Sequence, residues 1–219
     1  LLEGAVPVKK LPGLAAAAHM PAVAITDTNN MFAALEFSEG AAKAGIQPII
    51  GCQLSLTYLP PEPGKRPEPP APLVLLAQSE AGYMNLMKLN SCEYLDAGGE
   101  LPQVSLDQLA TYSEGLICLT GGPDGPVGRL LRAGQGPKAQ ALMTRLATIY
   151  PDRLYVELQR HPGDGGLPEA ERLTEQGHVE MAYAMDLPLV ATNDVYFPKA
   201  ALYEAHDALL CIADGAYVD

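Results

Sequence analysis

The chain has 219 residues and a formal net charge of −12. This length fits one large α/β domain with a full hydrophobic core, so we expect a single domain over residues 1–219. The Lys and Arg residues are scattered along the chain, and a surface this acidic repels phosphate backbones unless its cations are clustered. We therefore expect no direct nucleic-acid binding by this chain alone.

Cysteine usage and hydropathy indicate the compartment. The four cysteines stand far apart and form no CxxC pair, which is typical of buried thiols in a reducing cytosol. No apolar run approaches the length of a membrane span, and no basic-then-apolar leader opens the chain. We expect a soluble, cytoplasmic protein without membrane contact. Because the chain begins with Leu1 and Leu2, we also expect a fragment that lacks its first strand.

Apolar runs and helical spacings alternate along the chain. The predicted strands are residues 23–25, 46–56, 73–77, 115–120, 153–158 and 187–192. The predicted helices are residues 6–19, 31–44, 80–94, 105–112, 127–133, 138–150, 168–185 and 200–212. This alternation predicts a parallel sheet with right-handed crossovers. Residues 58–72, rich in Pro, Glu and Gly, are predicted to form a surface loop.

Polar side chains lie at the tips of several predicted strands, either within the strand or just after it. These are Asp27 and Thr28, then Gln53, then Thr120, then Glu157 with Gln159 and His161, and finally Asn193 and Asp194. If the strands close into a barrel, their ends converge on one mouth, which is where barrel enzymes bind ligands. Helix capping is the alternative interpretation of Asp27 and Asn30. No GxGxxG or GxxxxGK[ST] motif supports a dinucleotide or P-loop site.

Six blocks in register resemble a known family. They are LLEGA, AITDTNNMFAALEF, AGIQPIIGC, LVLLAQSEAGYMNLMKL, LYVELQRH, and LPLVATNDVYF with EAHDALLCIADG. These blocks are similar to the PHP (polymerase and histidinol phosphatase) domain of bacterial DNA polymerase III alpha subunits. The resemblance implies an α/β fold, a distorted, TIM-barrel-like arrangement of seven βα units. Its first strand, with a His-x-His motif, would precede Leu1.

The resemblance also implies a metal site that has lost most of its ligands. Active members hold divalent metals with His, Asp, Glu and sometimes Cys, and hydroxide formed on the metal attacks phosphorus. The corresponding positions here are Glu3, Asp27, Thr28, Gln53, Pro72, Gly122, His161, Asp194 and Tyr196. Thr, Gln, Pro, Gly and Tyr supply almost none of the imidazole and carboxylate that zinc or manganese requires. We expect no catalytic residues, no cofactor and no functional metal site; any metal would be Zn or Mn.

The other histidines have structural interpretations. His19 ends a predicted helix, where a cation suits the helix dipole. His178 lies in a polar helix and is expected to be solvated. His206 lies in the last predicted helix and is expected to be a packing residue.

Three functions remain open from the sequence. The first is a non-catalytic module of the polymerase, a DNA-directed nucleotidyltransferase acting in DNA replication, that stabilises the rest of the alpha subunit and binds the proofreading exonuclease subunit. The second is an active metal-dependent phosphoesterase or 3′-5′ exonuclease, which requires the family's His-x-His motif before Leu1 together with Glu3, Asp27, His161 and Asp194 to hold at least one metal. The third is a metal-free enzyme with Glu157, His161 and Asp194 as acid-base groups. The family's polymerase aspartates lie downstream, so this chain alone should not synthesise DNA.

Overall fold

The computed structural model describes residues 4–60, 63–64, 68–96, 101–163 and 166–217. The described strands are β1 Ala22–Ile25, β2 Gln47–Thr57, β3 Ala71–Ala77, β4 Val104–Ser105, β5 Leu116–Leu119, β6 Leu154–Gln159 and β7 Leu189–Thr192. The α-helices are α1 Leu11–Ala17, α2 Ala34–Lys43, α3 Glu80–Leu95, α4 Leu106–Thr111, α5 Pro126–Arg132, α6 Gly136–Ile149, α7 Glu169–Ala184 and α8 Tyr203–Asp214. Short 3₁₀ turns, Val8–Lys10 and Ala200–Leu202, precede α1 and α8. All six predicted strands are therefore present.

The strands form one mixed sheet in the order β1-β2-β3-β5-β6-β7, with β4 beside β2. β3 runs antiparallel to both β2 and β5, whereas β5–β6 and β6–β7 are parallel. The prediction of a parallel sheet was therefore wrong around β3. Among the described residues between β2 and β3 there is no helix, and a direct connection joins antiparallel neighbours. The two-residue β4 was missed because it is too short to show a periodic pattern.

The predicted loop over residues 58–72 is shorter than expected. Pro72 lies inside β3, where it is opposite Ser55 of β2. A proline is tolerated there because pairing with β5 begins only at Val74. Arg129 Nη1 donates 3.0 Å hydrogen bonds to the carbonyl oxygens of Pro69 and Pro70, which holds the end of the loop against α5. Residues 61–62 and 65–67 of the predicted loop lie outside the described part of the chain.

The chain divides into two compact units. The larger comprises residues 24–32 and 50–192, and the smaller comprises residues 1–23, 33–49 and 193–219. In the larger unit, alternate residues of β2 and β3 point into one apolar core, as the two-residue period of a strand requires. Leu86 of α3 and Met143 of α6 are fully buried in the same core. The prediction of a single domain over residues 1–219 stays a prediction.

In the smaller unit, α1 packs against α2. The buried face of α2 is Ala34, Phe37 and Ala41, a stripe with helical spacing. Leu35 is 73% exposed, because it lies one position off this stripe. Within the described ranges, no helix is both long and apolar enough to cross a membrane.

Candidate functional site

The residues that follow β1 are joined to β2 by hydrogen bonds. Thr28 and Gln53 form a parallel bridge, and Gln53 Nε2 donates to Thr28 Oγ1 at 3.2 Å. The backbone N–H of Gln53 donates to the Asp27 carbonyl at 3.1 Å, and that of Asn29 donates to the Gln53 carbonyl at 2.8 Å. Burial raises the pKa of the Asp27 carboxyl. The larger unit therefore brings three predicted positions together, with an amide and a hydroxyl bonded to each other beside one carboxylate.

A second set of hydrogen bonds anchors the loop that follows β1 and carries Asp27 to Asn30. Asn29 and Ser55 exchange side-chain hydrogen bonds of 3.0 and 3.2 Å, and the Tyr94 hydroxyl donates to the Asn29 carbonyl at 2.8 Å. Glu93, which is fully buried, accepts the Ser55 backbone N–H at 3.0 Å and Asn90 Nδ2 at 2.9 Å. The loop is thus anchored to β2 and α3. Sequence analysis did not identify Glu93, because a lone glutamate in a helix gives no sign of burial.

The Cys52 thiol, which lies close to these contacts, is protonated near pH 7. The Cys52 thiol lies 3.3 Å from the Asp27 carbonyl and 3.4 Å from the Asn30 carbonyl. Burial, with Glu93 as a weaker cause, raises the pKa of Cys52 to about 12. All four cysteines are free; Cys52 and Cys118 are buried, as predicted, and Cys92 and Cys211 are partly exposed. None of these observations indicates a reactive thiolate.

The end of β5 is shaped by two glycines and by Glu157 of β6. The Gly121 N–H donates to Glu157 Oε2 at 2.9 Å, and Thr192 Oγ1 donates to Glu157 Oε1 at 2.5 Å. Thr120 Oγ1 accepts the Glu157 backbone N–H at 2.9 Å. A Cβ atom at Gly122 would lie 3.0 Å from the Gln159 side chain, so little room for a side chain exists there. Glu157 therefore joins the ends of β5, β6 and β7 instead of pointing freely into a cleft.

His161 follows β6 and contacts α7. Its Nδ1 lies 2.6 Å from Glu171 Oε1, and its backbone N–H donates to Glu171 Oε2 at 2.9 Å. The tautomer with its ring proton on Nδ1 would donate this hydrogen bond to the carboxyl group. The Glu171 side chain is 5% exposed and that of His161 is 41% exposed. A buried carboxylate that orients a partly exposed imidazole is the arrangement found behind metal-ligating histidines. Glu171 was missed because it is distant in sequence from any strand end.

His178 corrects an expectation. The sequence predicted a solvated side chain, but His178 is 1% exposed and lies on the buried face of α7 with Glu171 and Thr174. Burial lowers the pKa of His178 to about 4, so its imidazole is neutral near pH 7. The helix is polar in composition, and its buried stripe contains polar residues. Hydrophobic periodicity could therefore not reveal that stripe.

The remaining predicted positions lie in the smaller unit. The Tyr196 hydroxyl donates to Asp194 Oδ2 at 2.7 Å. The Tyr196 ring stacks on His206 with ring centroids 5.6 Å apart, and Phe197 also contacts His206. His206 is buried, which confirms its expected role in packing. Exposed His19 follows α1 in a left-handed conformation. Glu3 lies outside the described residues.

These side chains do not fit a metal cluster. Asp27 is accompanied by the hydroxyl of Thr28 and the amide of Gln53, and the Asp194 carboxylate is bonded to a phenol. Zinc and manganese sites need several imidazole or carboxylate donors around one point. In the part of the chain that the structure describes, no group of three or more His, Cys, Asp or Glu residues is placed to hold a metal ion. We therefore derive no chemistry through a metal.

Comparison with solved structures defines the class of fold. The chain resembles a protein of Bifidobacterium adolescentis named as a predicted metal-dependent phosphoesterase, with a TM-score of 0.57, 11% identity, and coverage of 90% of this chain and 85% of that one. It also resembles an amidohydrolase of Chromobacterium violaceum, with a TM-score of 0.54, 13% identity, and coverage of 94% and 93%. At these identities the likeness concerns the fold, and the expected α/β fold is confirmed.

Sequence comparison defines the family. The model of the PHP domain matches residues 1–161, so the chain belongs to the PHP domain family. It is 50% identical over 220 residues to DNA polymerase III subunit alpha of Caulobacter vibrioides, covering 100% of this chain and 19% of that protein. It is 37% identical over 215 residues to the same subunit of Rickettsia bellii, covering 98% of this chain and 17% of that protein. The chain spans less than a fifth of the length of these relatives.

Proposed function

We propose that this chain is the PHP domain of a DNA polymerase III alpha subunit, and that it acts in DNA replication as a structural and protein-interaction module. The observation that carries the proposal is the 50% identity to the Caulobacter vibrioides subunit over the whole chain. Its partners would be the remainder of the alpha subunit and the proofreading exonuclease subunit. The net charge of −12 favours protein partners over direct contact with DNA.

Donor chemistry supports a role without metal catalysis. Five positions where the family's active members carry ligands hold residues that are poor metal ligands: Thr28, Gln53, Pro72, Gly122 and Tyr196. Two of these residues also form hydrogen bonds with neighbouring side chains: Gln53 donates to Thr28, and Tyr196 donates to Asp194. Glu157, which is not one of those positions, joins the ends of β5 and β7 through its carboxyl group. These contacts serve stability.

A metal-dependent phosphoesterase or 3′-5′ exonuclease is the second candidate. The observation in its favour is the buried Glu171 carboxylate that orients His161. That function would require His161, with Glu3, Asp27, Asp194 and the family's His-x-His motif, to hold at least one metal. Metal content distinguishes the two candidates.

The decisive measurement uses the natural full-length protein. It is equilibrated with excess Zn²⁺ and Mn²⁺, desalted, and analysed by mass spectrometry beside a zinc enzyme that is known to retain its metal. Near-zero stoichiometry is expected. One or more metal ions per chain, lost in Asp27→Ala or Asp194→Ala, would overturn the non-catalytic assignment and require an exonuclease assay.

The partner assignment has its own experiment. Hydrogen exchange of the full-length protein is compared with and without the proofreading exonuclease subunit of the same organism. We expect binding to slow exchange at a contiguous surface within residues 1–219. Protection confined to the rest of the polymerase would contradict exonuclease docking on this domain and would leave the metal result unaffected.

A further inference from the structure

A small cavity lies between β6 and α7 in the larger unit. The polar residues in its wall are Glu157, Gln159, Glu171, Thr174, Glu175 and His178. Its volume has room for about one water molecule. The cavity is therefore polar and small, which is the combination in which proteins hold ordered water.

His178 supplies an independent observation. Its Nε2 atom is buried, and no described protein atom forms a hydrogen bond with it. The imidazole is 1% exposed, so bulk water does not hydrate this nitrogen. A buried polar atom without a partner is costly, and native proteins usually satisfy it with protein or with ordered water. His178 is also one of the residues that line the polar cavity.

We propose that this cavity binds one ordered water molecule that forms a hydrogen bond with His178 Nε2. The carboxylate and amide oxygens in the wall provide its other partners, since a buried water needs two to four polar neighbours. A metal ion does not fit, because the described residues offer no group of three His, Cys, Asp or Glu in the required arrangement. The water completes the polar contacts between β6 and α7 next to Glu171, the residue that holds His161.

The first test is a structure of the natural full-length protein at a resolution that shows ordered water. We expect a density peak within hydrogen-bonding distance of His178 Nε2, present in crystals grown from different salts. A dry cavity, or a protein atom bonded to Nε2, would overturn the proposal. An anomalous signal from a metal at this peak would also overturn it.

The second test counts long-lived internal waters in solution by magnetic relaxation dispersion. His178→Leu removes the polar nitrogen and should reduce the count by one. The matched control is Tyr183→Leu, a change at a 79% exposed position of the same helix, which should leave the count unchanged. His178→Gln keeps a polar end and should retain the water. An unchanged count in a folded His178→Leu variant would contradict the assignment.

Discussion

Glu93 Oε1 accepts the backbone N–H of Ser55 at 3.0 Å, and this contact joins α3 to β2 directly beneath the loop that carries Asp27. Glu93 is fully buried and has no cationic partner among its hydrogen-bond donors, which are Ser55 and Asn90. Burial raises the pKa of its carboxyl to about 7, and the two hydrogen bonds oppose this shift only in part. The fold is therefore most stable when Glu93 is protonated.

Glu93 should contribute a loss of stability as the pH rises from about 4.5 to about 7, a contribution opposite in sign to that of His178. In the unfolded chain Glu93 loses its proton near pH 4.5, whereas the folded chain holds it until about pH 7. The unfolded state thus binds fewer protons in this window, and the free energy of unfolding decreases with pH by up to roughly 3 kcal/mol, since each pKa unit corresponds to about 1.36 kcal/mol. Glu93→Gln should remove this slope and be more stable than the wild type near pH 8. Urea unfolding across this pH range measures both effects.

Glu93→Ala is the control for the hydrogen bond. It removes the charge but leaves the buried Ser55 N–H without an acceptor, which costs about 1–3 kcal/mol. We therefore expect the alanine variant to be less stable than the glutamine variant at every pH. Equal pH slopes in the wild type and in Glu93→Gln would show that Glu93 does not titrate in this window.

Much of the fold could be predicted from the sequence, because burial in a strand or helix leaves a period in the apolar residues. This period identified six strands and a helix over residues 105–112, and the observed helix, α4, begins with a capping box formed by Ser105 and Gln108. The direction of a strand leaves no periodic pattern in the sequence. The antiparallel placement of β3 depends on the direct connection from β2, whereas alternation of elements elsewhere favoured a crossover.

The candidate site could be predicted only for residues that lie in a strand or directly after one. Asp27 follows β1 and Gln53 lies within β2, and the backbone hydrogen bond between them brings together two positions that the sequence had predicted. Three buried polar residues of the site, Glu93, Glu171 and His178, come from helices. Glu93 is bonded to Ser55 of β2, Glu171 contacts His161 after β6, and His178 lines the polar cavity. Their sequence environment resembles that of exposed helix residues. In retrospect the spacing of Glu171, Thr174 and His178 is a helical stripe, but its members are polar.

His178 predicts a loss of stability in acid. The unfolded imidazole takes up a proton near pH 6.5, whereas burial in the fold delays protonation to about pH 4. The unfolded state binds more protons between these values, so the free energy of unfolding decreases as the pH falls, by up to roughly 3 kcal/mol. The nearby carboxyl groups of Glu157, Glu171 and Glu175 line the same cavity and remain in the variant. His178→Leu should therefore lose only the imidazole's share of the slope, measured by urea unfolding from about pH 7 to pH 4.

Gly121 should tolerate no side chain. Its φ is +81°, and a Cβ atom would lie 2.3 Å from the Pro72 carbonyl oxygen, which is backbone and cannot rotate away. Gly134 is the matched control, with φ of +67° and no atom within 4 Å of the added Cβ. Gly134→Ala should cost about 1–2 kcal/mol from the left-handed conformation alone. Gly121→Ala should cost clearly more in the same thermal unfolding measurement, and equal costs would show that the close approach to Pro72 is not maintained.

Glu171 should contribute more to stability than any exposed acidic residue of α7. It accepts hydrogen bonds from both the backbone N–H and the ring of His161, and its side chain is 5% exposed. Glu171→Ala removes the acceptor of the His161 backbone N–H and the contact with the His161 ring; because His161 is 41% exposed, water replaces part of what is lost, and we expect a loss of about 1 kcal/mol in the free energy of unfolding. The matched control is Glu169→Ala in the same helix turn. Its side chain is 78% exposed, and its ion pair with Arg172 has a long distance of 3.8 Å. An exposed ion pair of this kind contributes little, so little change is expected.

Hydrogen exchange adds a local readout to this comparison. In Glu171→Ala the amide hydrogen of His161 loses its acceptor and should exchange faster than in the wild type, whereas Glu169→Ala should leave it protected. If the two variants lose the same stability and the His161 amide stays protected in both, Glu171 is not the group that holds His161. The second candidate function would then lose the geometry on which it depends, because an imidazole without its orienting carboxylate has no fixed direction in which to present Nε2.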